Sequence, residues 1–197
     1  MDSKIICNYE DIQFLNDAIF DTLEKKNKKK NIIWKLLYRA TIDGSTPSDF
    51  HKKVDNKGPT LSIIKTKKGF IFGAFTNISY TSENVSKYTS ENVSKYKSEN
   101  ESKDDPKHSF VFSINLKKIY KSTCNGIKNL GCFRDCGVCT WGSIYTKGNF
   151  INENKSCTFN KSLFSYYYEN CERDYELNNG EEYFSMNELE VFEIEFD

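Results

Sequence analysis

The sequence predicts an α+β protein that is mostly β, with an antiparallel β core and a few short helices around it. Three observations carry this reading. Aromatic residues make up 15% of the 197 positions, from 15 Phe, 12 Tyr and 2 Trp, a composition that suits pleated, half-buried strands better than helix interiors. Short apolar stretches recur between turn signals spaced about eight to twelve residues apart. Nowhere do strands and helices alternate with the regularity that a parallel βαβ sheet requires.

The elements follow in chain order. In "YEDIQFLNDAIFDTLE", residues 9 to 24, Ile12, Leu15, Ile19 and Leu23 fall at helical spacing with Phe20 beside them, which predicts an amphipathic helix needing a partner surface. The lysine-rich "KKNKKKN" at 25 to 31 reads as a solvated connector, with a nucleic-acid or import patch as the alternative. "IIWKLLYRA", residues 32 to 40, is too brief for a free-standing helix and reads as a buried strand. A turn at Asp43-Gly44 precedes a helix start, with Thr46 as N-cap, Pro47 at the first helical position and Asp49 at N3. That helix ends near Asp55-Asn56.

Residues 55 to 75, "DNKGPTLSIIKTKKGFIFGAF", read as a hairpin. Leu61 and Ile63 alternate with Ser62, Phe70, Phe72 and Ala74 follow, and Gly69 supplies the positive φ of the turn. Both faces of the second strand are apolar, so it belongs in a sheet centre or between layers. Residues 81 to 103 repeat "TSENVSKY", "TSENVSKY", "KSENESKD". Three polar eight-residue units are too small for a solenoid and read as a mobile insertion. "HSFVFSINL" then alternates Phe110, Phe112, Ile114 and Leu116. Further strand-like pieces are "CTWGSIY", "GNFIN", "SCTFN" and "SLFSYYY". In the closing "NELEVFEIEFD", Leu189 and Val191 share one phase while Phe192, Ile194 and Phe196 share the other, which predicts a β-bulge or burial on both faces.

A chain of this length suits one domain. No apolar run approaches the roughly 18 to 20 residues that span a bilayer, and "MDSKIICNYEDIQ" lacks the pattern of a signal peptide. The expected location is the cytoplasm, where the seven cysteines are reduced. Formal net charge is zero, yet residues 169 to 197 hold eleven acidic side chains against one basic, a local net of −10 that leaves +10 for the other 168. Such segregation steers a partner or merely solvates one end. The carboxylates of Glu188, Glu190, Glu193 and Glu195 read as a solvent-facing strand edge and form the candidate partner surface.

The sharpest chemical motif is "CFRDCGVC", with Cys132-x3-Cys136-x2-Cys139. The spacing matches the iron–sulfur triplet of radical SAM enzymes, but the chain has neither the length nor the strand–helix alternation of their barrel. A zinc site with Cys124 or Cys157 as fourth ligand is an alternative, although only one hook of the usual pair is present. A redox-sensing thiol cluster beside Arg134 is another. His51, in the short basic helix, and His108, just ahead of a strand, do not by their positions suggest a general base with an orienting partner, and no GxSxG, P-loop, GxGxxG or HExxH occurs. No catalytic set or cofactor is expected.

Several ordered blocks then resemble a known family. Residues 34 to 80, with the LLYR strand, the DG turn, the short helix containing Phe50, GPTL-x-I-I-K and G-x-I-FG-x-F, are similar to the opening of a TLDc domain. "SFVFSINL" resembles that family's next Phe-rich strand, and "FSMNELEVFEI", residues 184 to 194, its closing strand. The resemblance divides the chain into a helical lead-in with a basic connector at 1–33 and a domain at 34–197, with 81–103 inserted. It implies a two-sheet antiparallel β-sandwich with flanking helices, a role in oxidative-stress resistance, and association with the vacuolar-type proton ATPase. It brings no catalytic residues. Where many members have a Gly-rich "FG-x-G-x-x-D-L" segment, this chain reads "TWGSIYTKGNF". The leading expectation is a non-catalytic interaction module; the alternative is a thiol-based redox or metal protein using Cys132, Cys136 and Cys139.

Overall fold

The computed structural model of the chain describes residues 2–23, 31–82, 109–123, 134–140 and 142–197. The basic connector and the repeat insertion fall outside the described residues, apart from Asn31, Thr81 and Ser82, as do His108, Cys124 and Cys132.

The fold is a mostly-β α+β sandwich of two antiparallel sheets. The first six strands are β1 (Ile32–Arg39), β2 (Thr60–Thr66), β3 (Ile71–Thr76), β4 (Ser109–Ser113), β5 (Lys118–Lys121) and β6 (Cys136–Thr140). They are followed by β7 (Ile144–Lys147), β8 (Ser156–Thr158), β9 (Tyr183–Phe184) and β10 (Met186–Phe196). The larger sheet has the order β1-β10-β2-β3-β4-β5 and the smaller β6-β7-β8-β9. Among the described residues, four short helices, α1 (Tyr9–Thr22), α2 (Ala40–Asp43), α3 (Pro47–Val54) and α4 (Lys161–Tyr167), flank them.

The hairpin of β2 and β3 forms as its alternation predicts. Gly69 turns at φ +88°, and both strands lie inside the larger sheet. Gly73 has a further reason to be glycine: a Cβ there would sit 1.9 Å from the Ser62 carbonyl oxygen and 2.8 Å from Phe112 Cζ. The α3 start also forms as read. Thr46 and Asp49 make a reciprocal capping box behind Pro47, satisfying two otherwise orphaned N–H groups.

The two phases seen in the closing segment correspond to two separate cores. Leu189 and Val191 face the inter-sheet core with Tyr38, Phe50, Ile64, Phe72, Val138, Ile144 and Phe164. Phe192 and Ile194 face the opposite core, where Leu15 and Ile19 of α1 pack with Trp34, Leu61, Ile63, Phe110 and Phe112. β10 therefore buries both faces, and its pairing with β2 also shifts register between Met186 and Glu188. Leu15 and Ile19 are fully buried, each contributing about 1.5–3 kcal/mol of transfer free energy. Trp34 Nε1 donates to Asn16 Oδ1 at 2.9 Å, so α1 is fixed to β1 by a polar contact as well.

Several elements differ from the sequence reading. β1 is an edge strand with a mixed pattern of exposure rather than a buried one. "SLFSYYY" is helical: Asn160 caps α4 by accepting from Leu163 N, and Phe164 and Tyr168 share a face four residues apart in the inter-sheet core. That local cap and burial spacing override the β preference of tyrosine. "GNFIN" is a turn that begins at Gly148, φ +67°, and plugs Phe150 into the core. "CTWGSIY" is the joint between β6 and β7, broken at Gly142, φ +73°. Leu116 lies beyond β4 in the turn to β5 and is partly exposed.

Candidate interaction surface

The acidic residues of β10 are the first place to look. β10 is second in the sheet, between β1 and β2, so its carboxylates are not on an edge. Two of them do not face solvent. Glu190 is 0% exposed and Glu188 7%, because neighbouring segments bring donors to them. Glu188 accepts from Thr41 N at 3.1 Å and from Thr41 Oγ1, which caps the first turn of α2 with a negative charge. Glu190 accepts from Arg39 Nε at 2.8 Å. Glu193 and Glu195, on the opposite face, flank Lys35 of β1 at 3.4 and 3.2 Å. That ammonium's pKa is raised by its hydrogen bonds to Glu195 and Glu193. Exposed pairs of this kind contribute little to stability; Glu195 is exposed, whereas the Glu193 side chain is only 19% exposed.

Around Glu190 the structure builds a closed polar site. Burial opposes the Arg39 charge, but hydrogen bonding to Glu190 and attraction to Glu190 and Asp2 outweigh it and push the guanidinium pKa up. Residues 2 to 4 close the site from outside: Ser3 Oγ donates to Glu190 Oε2 at 2.6 Å, Lys4 N to Glu190 Oε1 at 2.9 Å, and Arg39 Nη2 to the Asp2 carbonyl at 2.5 Å. Sequence reasoning missed Arg39 and Ser3. The available signal was a lone Arg closing the apolar run "IIWKLLYRA".

A second buried carboxylate sits at Glu176, in the short 3-10 turn Glu176–Asn178. Burial opposes its ionisation, but it receives Lys118 Nζ at 2.7 Å, Tyr120 OH at 3.0 Å, Glu172 N at 2.6 Å and Arg173 N at 3.2 Å. These donors hold its pKa down at about 2. Of the acidic segment from 169 to 197, Glu176, Glu188 and Glu190 are thus occupied internally, while Glu169, Glu172, Asp174, Glu182 and Glu195 are exposed.

The cysteine cluster is only partly visible. Cys136 and Cys139 lie buried on β6, and Cys132 is outside the described residues. The register places Cys139 opposite Tyr145 and Tyr145 opposite Cys157, so a tyrosine stands between two thiols. Burial, and then the charges of Asp135 and the neighbouring thiols, push the Tyr145 hydroxyl up to about 12. Burial and Glu182 likewise raise Cys157, and burial and Glu176 bring Cys171 to about 11. These are the environments of poorly nucleophilic thiols. Among the described residues, no group of three or more His, Cys, Asp or Glu side chains is placed to hold a metal ion.

His51 is held at both ring nitrogens, Nδ1 by Asp55 Oδ1 at 2.6 Å and Nε2 by the Cys136 carbonyl at 2.9 Å. Asp55 Oδ2 in turn accepts from Ser82 N at 2.7 Å. The histidine therefore ties α3 to the smaller sheet. Among the described residues, no helix is long and apolar enough to cross a membrane.

Fold and site together define the class: an antiparallel β-sandwich whose buried charged groups fasten its own segments to one another. The family follows from comparison with family models, where the TLDc domain matches residues 1–195. The chain belongs to the TLDc domain family, protein-interaction modules linked to oxidative-stress resistance. A comparison with curated proteins finds no match.

Proposed function

We propose that this protein is a non-catalytic TLDc interaction module of the cytoplasm that binds or regulates the vacuolar-type proton ATPase and thereby contributes to oxidative-stress resistance. The observation that carries the reading is the family match over residues 1–195. The build of the sandwich supports it. Packing on both faces of the larger sheet leaves a preorganised exterior, which lowers the ordering cost of docking. The exposed acids Glu169, Glu172, Asp174 and Glu182, with Glu193 and Glu195, supply a negative surface that would speed encounter with a basic partner.

The test is recovery of the tagged full chain from cells under conditions that keep the pump assembled. Co-recovery of ATPase subunits, weakened when Glu169, Glu172, Asp174 and Glu182 are replaced by Gln, is the expected result. Recovery without any ATPase subunit would overturn the reading.

A further inference from the structure

The segment ahead of α1, residues 2–7, is a strap that lies over the Arg39–Glu190 pair and the core beside it. Its polar end reads the buried pair: Ser3 Oγ and Lys4 N donate to the two oxygens of Glu190, and Arg39 donates to the Asp2 carbonyl and pairs with the Asp2 carboxylate at 3.5 Å. Ser3 Oγ also accepts from Ile5 N at 3.1 Å and Ile6 N at 2.9 Å. That turn delivers Ile5 and Ile6, 6% and 1% exposed, into the apolar core over the larger sheet. The outward parts of the strap, including the Asp2 side chain at 80%, Lys4 and Cys7, are exposed.

Two features distinguish this arrangement from simple anchoring. First, a buried ion pair is weak evidence for stability, because apolar residues of similar volume stabilise a fold at least as well. Arg39 and Glu190 instead meet a carboxylate, a hydroxyl and a backbone N–H offered in sequence by residues 2 to 4. Second, α1 has anchors of its own besides the core it shares with Ile5 and Ile6. Asn8 caps α1 through Asp11 N, Asp11 pairs with Lys117, Asn16 holds Trp34, and Leu15 and Ile19 are fully buried.

We infer that the groove formed by Arg39, Glu190 and the adjoining apolar surface is a peptide-binding site that the strap occupies in cis. Its trans occupant is a partner segment of the same chemistry that makes the same turn: acidic residue, Ser or Thr, any residue, then two aliphatic residues. This deepens the proposed function and rests on the reading of the chain as an interaction module. With the cis strap in place, the apparent affinity of a trans segment scales with the fraction of time the groove is empty, so such a segment must compete with the strap.

The probe is a labelled synthetic peptide, Asp-Ser-Lys-Ile-Ile-Ser-Asn, added to the full chain and to its Ile5→Asp/Ile6→Asp variant, with anisotropy as readout. Peptide binding at least about tenfold tighter to the variant than to the wild type is expected, and it is lost when the peptide's acid and first serine are both alanine. In the unaltered chain, excess peptide should speed hydrogen exchange at the Ile5 and Ile6 amides and leave Leu15 and Ile19 unchanged. This second measurement stands even where the variant fails to fold. No peptide binding to a folded variant, or no change at Ile5 and Ile6, overturns the inference, as does a dimer formed by exchanged straps, which would assign the groove to a second copy. Peptide failure with the ATPase still recovered sinks this inference alone; peptide binding without ATPase recovery sinks only the proposed pump partner.

Discussion

Lys118 Nζ lies 2.7 Å from Glu176 Oε1, 58 positions apart in sequence, and this contact joins the edge strand β5 to the acidic segment beyond α4. Because Glu176 also takes the Tyr120 hydroxyl and two backbone N–H groups, its pKa falls from 4.5 to about 2. A carboxylate depressed in the folded state contributes stability above its unfolded pKa and loses it as pH falls through the folded value. Thermal midpoints should therefore drop between about pH 4.5 and 2, and more steeply in the wild type than in Glu176→Gln. Melts followed by circular dichroism across that window check the difference in slope. At pH 7 the Gln variant should be less stable by about 1–3 kcal/mol.

Replacing Arg39 by Met should cost about 3–5 kcal/mol, because Glu190 is left charged, buried and without its cation. The double variant Arg39→Met/Glu190→Leu should recover most of that loss. Urea denaturation of the two singles and the double closes the cycle, and equal losses in Arg39→Met and the double variant would contradict it.

Thr60 Oγ1 and Ser62 Oγ are buried with no hydrogen-bond partner among the described residues. Thr60→Val, which keeps the shape and removes the hydroxyl, should leave stability unchanged or raise it by about 1 kcal/mol. Chemical denaturation of the single variant is sufficient, and a loss beyond about 1 kcal/mol would show that the hydroxyl is in use.

Gly73→Ala should be among the most damaging single substitutions. The new methyl group would meet the Ser62 carbonyl oxygen at 1.9 Å in the middle of the larger sheet, where neither strand can move away without breaking its ladder with β10 or β4. A loss above about 3 kcal/mol is expected, or failure to fold. Soluble yield and urea midpoint measure it.

Much of the fold was legible where local chemistry and burial agree. Thr46, Pro47 and Asp49 specify the start of α3 on their own, and the alternation through Leu61, Ile63, Phe72 and Ala74 yields the hairpin with its central position. The misreadings arose where a few residues outweigh the pattern. Asn160 turns a tyrosine-rich run into α4, and Gly142 splits one apolar stretch into two strands. The site was less legible. Glu188 and Glu190 alternate along β10 as exposed residues would. Their burial depends on Thr41, Arg39 and Ser3, which no local pattern connects to them. Nor does spacing reveal Glu176, since its donors come from β5 and from the backbone of Glu172 and Arg173 just ahead of its turn.

The order β1-β10-β2 also bears on how the molecule is made. The strand synthesised last of the ten enters between two of the first, so β1 and β2 cannot pair through their shared neighbour until residues 186 to 196 have emerged. Until then Trp34, Leu61 and Ile63 lack Phe192 and Ile194, their neighbours in the same sheet and core, and the nascent chain carries an open slot with sticky walls. Loop closure across more than a hundred residues makes this late insertion slow, and it exposes the unfinished sheet to aggregation. Loss of β10 would therefore abolish the whole architecture rather than trim an edge.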